Sequence, residues 1–283
     1  MRVSPLRPVL ALTALALVAA APALAQGQNN YGSIYSRYGL GERLDFGSSQ
    51  AEMLGGAQTA LRSTFYNGLV NPALWSDQSV TSFSAAVGLS SVRSTDATDA
   101  DASRATAGDV AGLQLGVPLL PNRLGLTLAY RPYSRVNYRG SAPGTLVTED
   151  DTTAYAVNQE GGGGLQRISG GLGLRLGQAV QVGASADVIF GTFEYLQRTT
   201  FDEPTFVETR QSRATRLRGI TGTLGAAVSA RSLASDDDML TVGLAFTLPT
   251  RLDGARTLTL GESLDRDTLA AETPGEATLP LIA

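Results

Sequence analysis

The sequence predicts an all-β protein: an antiparallel transmembrane β-barrel, incomplete with about seven or eight strands present, behind an irregular N-terminal plug or hatch. Three observations predict it. Six runs of alternating apolar and small or polar residues lie between positions 111 and 248, the connections between them are alternately short and long, and the chain opens with a segment built for export.

The alternation is direct. Ala111, Leu113, Leu115 and Val117 interleave with Gly112, Gln114 and Gly116, and Leu124, Leu126, Leu128 and Tyr130 with Gly125, Thr127 and Ala129. Ile168, Leu172, Leu174 and Leu176 alternate with Ser169, Gly171, Gly173 and Arg175; Val180, Val182, Ala184, Ala186, Val188 and Phe190 alternate with Gln181, Gly183, Ser185 and Asp187. Ile220, Leu224, Ala226 and Val228 oppose Thr221, Thr223 and Ser229, and Leu240, Val242, Leu244, Phe246 and Leu248 oppose Thr241, Gly243 and Thr247. Successive strand side chains point to opposite faces, so each run has one apolar face and one polar or tiny one. An earlier run, 80–92, carries Phe83, Ala85, Val87 and Leu89 in the same phase.

A soluble antiparallel sheet also alternates, and the connections separate the two cases. Residues 120–123 and 177–179 are tight, whereas 139–167 and 192–218 are long and polar. Outer-membrane barrels have short periplasmic turns and long outer loops. With the short turns periplasmic, the runs from Val80, Leu124, Val180 and Leu240 climb outward. Tyr130, Tyr133, Tyr138, Phe190, Phe193, Tyr195 and Phe246 then gather near the outer interface, as an aromatic girdle does.

Residues 1–25 carry Arg2 and Arg7, an apolar stretch over 9–20 and Ala23-Leu24-Ala25 as a cleavage site, the pattern of a secretory signal peptide. The expected division is signal peptide 1–25, plug or hatch 26–78 and partial barrel 79–283, with export to the bacterial outer membrane. The plug segment does not alternate. It is rich in glycine, tyrosine and Asn-Pro turns, which suit a compact irregular unit.

All 22 basic residues are arginine, and lysine, histidine and cysteine are absent. Without Arg2 and Arg7 the balance is 20 basic against 26 acidic, a formal charge of −6. These absences exclude disulfides, thiolate nucleophiles, His-ligated metals, a Walker lysine and Ser-His-Asp hydrolysis. The acidic balance argues against a nucleic-acid partner. Glu149, Asp150, Asp151, Glu160, Asp202, Glu203 and Glu208 offer carboxylate pairs, but they occupy charge-rich loops and read as solvated acids. Gly171, Gly173 and Gly177 sit inside a strand run with no helix after them, so they make no dinucleotide fingerprint. Asp96, Asp99, Asp101 and Asp236, Asp237, Asp238 lack the glycine and distal glutamate of a calcium loop. The expectation is therefore a non-enzyme with no catalytic residue, metal or cofactor.

The runs Tyr35-Ser-Arg-Tyr-Gly-Leu-Gly41, Leu54-Gly-Gly-Ala57 with Ala60-Leu-Arg62, and Asn71-Pro-Ala73 resemble the start of poorly characterised outer-membrane proteins related to the FadL-type transporters. Arg131-Pro-Tyr-Ser-Arg-Val-Asn-Tyr138, Gly161-Gly-Gly-Gly-Leu-Gln166 and Val182-Gly-Ala-Ser-Ala-Asp-Val-Ile-Phe-Gly191 resemble strand signatures of that family. The resemblance implies a barrel with a hatch in its lumen and passive uptake of hydrophobic small molecules of fatty acid or aromatic hydrocarbon type. By analogy, Gly55, Gly56, Asn71, Pro72 and Ala73 belong to the hatch and act in gating. Implied partners are outer-membrane lipid and lipopolysaccharide, a hydrophobic ligand and the barrel assembly machinery.

The chain departs from that family in length. Seven runs are an odd count, 249–278 reads as a long loop, and an eighth strand begins only at Leu279, so the sequence is expected to be a truncated reading frame. The alternative to transport is a non-transporting structural or assembly barrel with a plugged lumen. A third reading is a soluble exported β-sandwich adhesin.

Overall fold

The computed structural model describes residues 33–44, 46–64, 68–95, 102–147, 152–203, 205–231, 238–261 and 268–279. The expected signal peptide lies outside the described residues. So do Asp96, Asp99, Asp101, Glu149, Asp150, Asp151, Asp236, Asp237 and positions 280–283.

Eleven strands form one antiparallel sheet: β1 (Glu42–Arg43), β2 (Ser82–Thr95), β3 (Ala102–Leu120), β4 (Leu124–Arg135), β5 (Tyr138–Val147), β6 (Thr152–Leu176), β7 (Val180–Phe201), β8 (Thr209–Arg231), β9 (Met239–Thr247), β10 (Thr250–Gly261) and β11 (Thr268–Leu279). Two of the breaks are local. β4 and β5 pair successive stretches of β6, and β9 and β10 pair successive stretches of β8. Apart from the short β1, the sheet is thus a meander of eight paths, β2, β3, β4/β5, β6, β7, β8, β9/β10 and β11. Pro249 causes the second break, because proline has no N–H for the ladder. The first break, at 136–137, admits the N-terminal segment: the Asn137 amide donates to Ser36 Oγ at 3.0 Å.

The seven runs match the sequence reading, but the long connections and the position of the eighth strand do not. Residues 139–147, 152–167, 192–201 and 209–218 are strand, in β5, β6, β7 and β8, and the expected loop over 249–278 carries the paired strands β10 and β11. The expected eighth strand at Leu279 is where β11 ends. Polar sequence hid these strands because both faces there lack the apolar alternation that a membrane or a core imposes. Among the described residues the sheet is open, with no pairing between β2 and β11 or β9.

Burial in the short-turn half is inverted relative to a soluble sheet. Gln114, Thr127, Ser169, Gln181, Asp187, Thr221, Thr223 and Ser229 are buried on the inner face, while Leu128, Leu172, Val188, Ile220, Leu224, Val228, Val242 and Leu244 are exposed on the outer face. An exposed apolar belt of this extent is the surface a barrel presents to lipid. On β7 the belt runs from Val180 to Phe190. Ten residue steps give about 33 Å of strand, and a tilt near 40° reduces that to ~25 Å, the height of an outer-membrane apolar band.

Beyond Phe190 and its partner Arg218 the pattern reverses. Tyr133, Val136, Tyr138, Leu165, Ile189, Phe193, Leu217, Leu252 and Leu279 form an apolar cluster inside the distal half. Outside, Thr192, Glu194, Arg216 and Arg218 face outward in place of the valines and leucines below. Water replaces lipid as the outer solvent, and the sheet reverts to the ordinary rule. This corrects the aromatic girdle. Tyr130, Phe190 and Phe246 lie on the outward face, but Tyr133, Tyr138, Phe193 and Tyr195 point inward, where a distal apolar core is available to bury them.

Leu224 discriminates lipid from water. It is 52 % exposed and pairs with Ala184 near the middle of the belt. On a water-facing strand Leu224→Arg would cost almost nothing; in a bilayer it is expected to cost ~2–3 kcal/mol, read by urea unfolding in lipid vesicles.

Candidate functional site

The N-terminal segment runs down the inner face from the distal half towards the short turns. Its 3-10 turn Ile34–Arg37 packs against β5, and β1 pairs Glu42 and Arg43 with Arg135 and Ser134 of β4. Arg131, 7 % exposed, donates to the Phe46 carbonyl at 2.8 Å. Helix α1 (Ser49–Met53) follows, capped by the Ser48 hydroxyl, which accepts from the Ala51 amide at 3.1 Å. A second 3-10 helix, Pro72–Asp77, then lies against β4, β6, β7 and β8 and is buried throughout.

Five neighbouring positions make the shelf for this helix. Gly125, Gly173, Gly183, Gly225 and Ala245 are successive register partners across β4, β6, β7, β8 and β9. A β-carbon on Gly173 would lie 2.7 Å from the Ser76 nitrogen, and one on Gly183 2.5 Å from the Ala73 nitrogen. One on Gly225 would lie 2.8 Å from Pro72 Cδ, and one on Gly125 2.9 Å from the Trp75 carbonyl carbon. Glycine is therefore required for the backbone of the plug to rest on the backbone of the wall. The next row distally, Thr127, Gly171, Ser185, Thr223 and Thr247, carries hydroxyls, and Gln78 Nε2 donates to Thr127 Oγ1 at 2.8 Å.

Polar contacts lock the shelf at both ends of the helix. Asn71, fully buried, accepts from the Ala73 amide at 3.0 Å and donates to the carbonyls of Thr59 at 2.7 Å and Ala226 at 3.1 Å. Proline follows it at the first helical position, where no N–H is needed. Trp75 Nε1 donates to the Gly68 carbonyl at 2.7 Å. At the other end Asp77, 2 % exposed, accepts from Arg62 Nε at 2.7 Å and Nη2 at 2.9 Å, from Gln181 Nε2 at 2.5 Å and from Arg175 Nη2. Arg62 also reaches Ser229 Oγ at 3.1 Å. Burial lowers the Arg62 pKa from its ordinary value. One carboxylate thus ties the plug to itself and to β6, β7 and, through Arg62, β8.

A second buried pair stands higher on the wall. Arg167 Nη2 donates to Asp187 Oδ2 at 2.7 Å and to Thr223 Oγ1 at 2.9 Å, and Thr223 donates to Asp187 at 3.0 Å. Both charges belong to the wall, and their hydrogen bonds go to wall residues. Among the described residues no group of three His, Cys, Asp or Glu is placed to hold a metal ion.

The five expected hatch residues divide into two sets. Gly55 and Gly56 have positive φ, close the end of α1 with the Gly56 amide on the Ala51 carbonyl at 2.8 Å, and are exposed, with nothing near enough to meet a β-carbon. They form a turn away from the wall. Asn71, Pro72 and Ala73 are the anchor itself.

A family model named BamG matches residues 10–273. The chain belongs to the BamG family. That family is related to the barrel assembly machinery and associated with the outer membrane. Searches of curated proteins and of solved structures find no match.

BamG membership overturns the FadL-type assignment, and with it passive uptake of hydrophobic compounds as the function. The residues that suggested that family are general plug chemistry. Gly55-Gly56 is a helix end, Asn71-Pro72 is a helix start, and the Gly161–Gln166 stretch is where β6 bends past the break between β4 and β5. The non-transporting assembly alternative agrees better with the family.

The pattern of the sequence does not mark Asp77, Arg175 and Gln181 as a site, although Arg175 and Gln181 stand on the polar face of their runs. The available signal was charge in a row otherwise filled by glycine and hydroxyls. Such a charge needs a partner, and Asp77 closes the short helix that Asn71-Pro72 begins.

Proposed function

We propose that this BamG-family chain is a plugged, non-catalytic outer-membrane barrel that serves barrel assembly as a structural component, with its short turns on the periplasmic side. The family match carries the reading. The anchoring of Pro72–Asp77 supports it, since a helix seated on a glycine shelf and held through Asn71 and Asp77 suits a rigid filler better than a mobile gate. The outward apolar belt suits residence in the same bilayer as the machinery and its substrates.

Affinity purification of the tagged full chain from mild detergent extracts, after crosslinking in cells, is expected to recover barrel assembly components. Depletion is expected to lower the amount of folded, heat-modifiable outer-membrane barrels while leaving fatty-acid uptake per folded transporter unchanged. Unaltered barrel levels together with no recovered assembly component would refute the proposal.

A further inference from the structure

Distal to the apolar cluster the inner wall opens into a cavity of about 530 Å³. Its lower surface is apolar, from Leu40, Phe193 and Leu217. Three arginines from separate elements line it: Arg37 of the N-terminal 3-10 turn, Arg213 of β8 and Arg256 of β10. Among the described residues no carboxylate lines the cavity and none of the three arginines forms an ion pair. Two other distal arginines do have carboxylate partners, Arg139 in Glu160 at 2.7 Å and Arg198 in Glu208 at 2.8 Å. Three guanidiniums around one space give it a positive potential that favours an anion.

The volume is that of a small-molecule site. A single carboxylate would leave two of three positive charges unmatched, whereas a phosphate monoester brings up to two negative charges and three acceptor oxygens suited to guanidinium forks. Tyr138 and Tyr195 add hydroxyls on the same wall, their rings 6.4 Å apart. Burial raises both phenol pKa values, with Arg37 and Arg213 pulling the other way, so both hydroxyls stay protonated donors at neutral pH.

We propose that this cavity binds a phosphate monoester, with the phosphate among Arg37, Arg213 and Arg256 and an apolar body on Leu40, Phe193 and Leu217. The inference stands on the distal cavity alone and does not depend on the assembly role. The same chemistry is offered by a lipid headgroup and by free phosphate, and calorimetry on the full chain in neutral maltoside micelles distinguishes them. Dihexanoyl phosphatidate is expected to bind about tenfold more tightly than inorganic phosphate, and dihexanoyl phosphatidylcholine not to bind. Equal binding of phosphatidate and inorganic phosphate keeps the anion site and assigns it to a free anion. Arg213→Gln with Arg256→Gln, both at exposed positions, is expected to weaken phosphatidate binding by at least about tenfold, and Arg37→Gln, on a separate element, to weaken it as well. Heat-modifiable gel migration verifies that each variant is folded. Absence of binding to both phosphate probes, or undiminished binding in all folded variants, overturns the proposal.

Discussion

Asp77→Asn is expected to lower the stability of the folded chain by about 3 kcal/mol, because it leaves two partly buried guanidiniums facing one another without their counter-charge. In the native protein Arg62 is 15 % and Arg175 20 % exposed at the side chain, and the Asp77 carboxylate separates them. Urea unfolding in lipid vesicles, followed by the fluorescence of Trp75, reads the loss, since Trp75 is the single tryptophan and sits in the anchored helix. Removing a second member tests the cause. Asp77→Asn combined with Arg62→Gln is expected to be more stable than Asp77→Asn alone, as coupled charges give non-additive effects. Additive losses would mean that the cage contributes packing and little electrostatics.

Gly183→Val is expected to unseat the plug altogether. The new side chain would occupy the space of the Pro72 and Ala73 backbone, which cannot withdraw without breaking the Asn71 bonds to Thr59 and Ala226. Overpacking against a rigid backbone costs about 3 kcal/mol. Limited proteolysis should then cut within residues 46–78 while the strands stay protected. Gly177→Val is the control. Gly177 lies in the β6–β7 turn with open space around it, and the cost there is only that of its positive φ. Equal protease resistance in Gly183→Val and the native chain would show that the glycine row is not the seat of the plug.

The strands of the membrane belt were legible because lipid outside and a polar plug inside force a period of two on every residue between them. Val180 to Phe190 can be read without coordinates for this reason. Farther out the constraint lapses. Gln197, Gln211 and Arg213 lie on long strands that read as loops, since neither face there must be uniformly apolar. The anchor was half legible: Asn71-Pro72 marked a turn in a compact irregular unit, but that it starts a helix was not legible, and the glycines beneath it looked like the small residues of any strand. Their role depends on register, which brings Gly125, Gly173, Gly183 and Gly225 from separate strands into one row.

By itself the sequence determined the all-β class, the seven membrane runs, the tight turns at one end and the presence of an irregular segment ahead of them. These are local or periodic properties, carried by residues within one strand's length. Only the tertiary structure decided that Arg62, Asp77, Arg175 and Gln181 form one cage, that Tyr133, Tyr138 and Phe193 turn inward, and that three arginines from separate elements surround one cavity. Partners so distant along the chain meet through strand pairing and register. The pattern of any single strand contains neither.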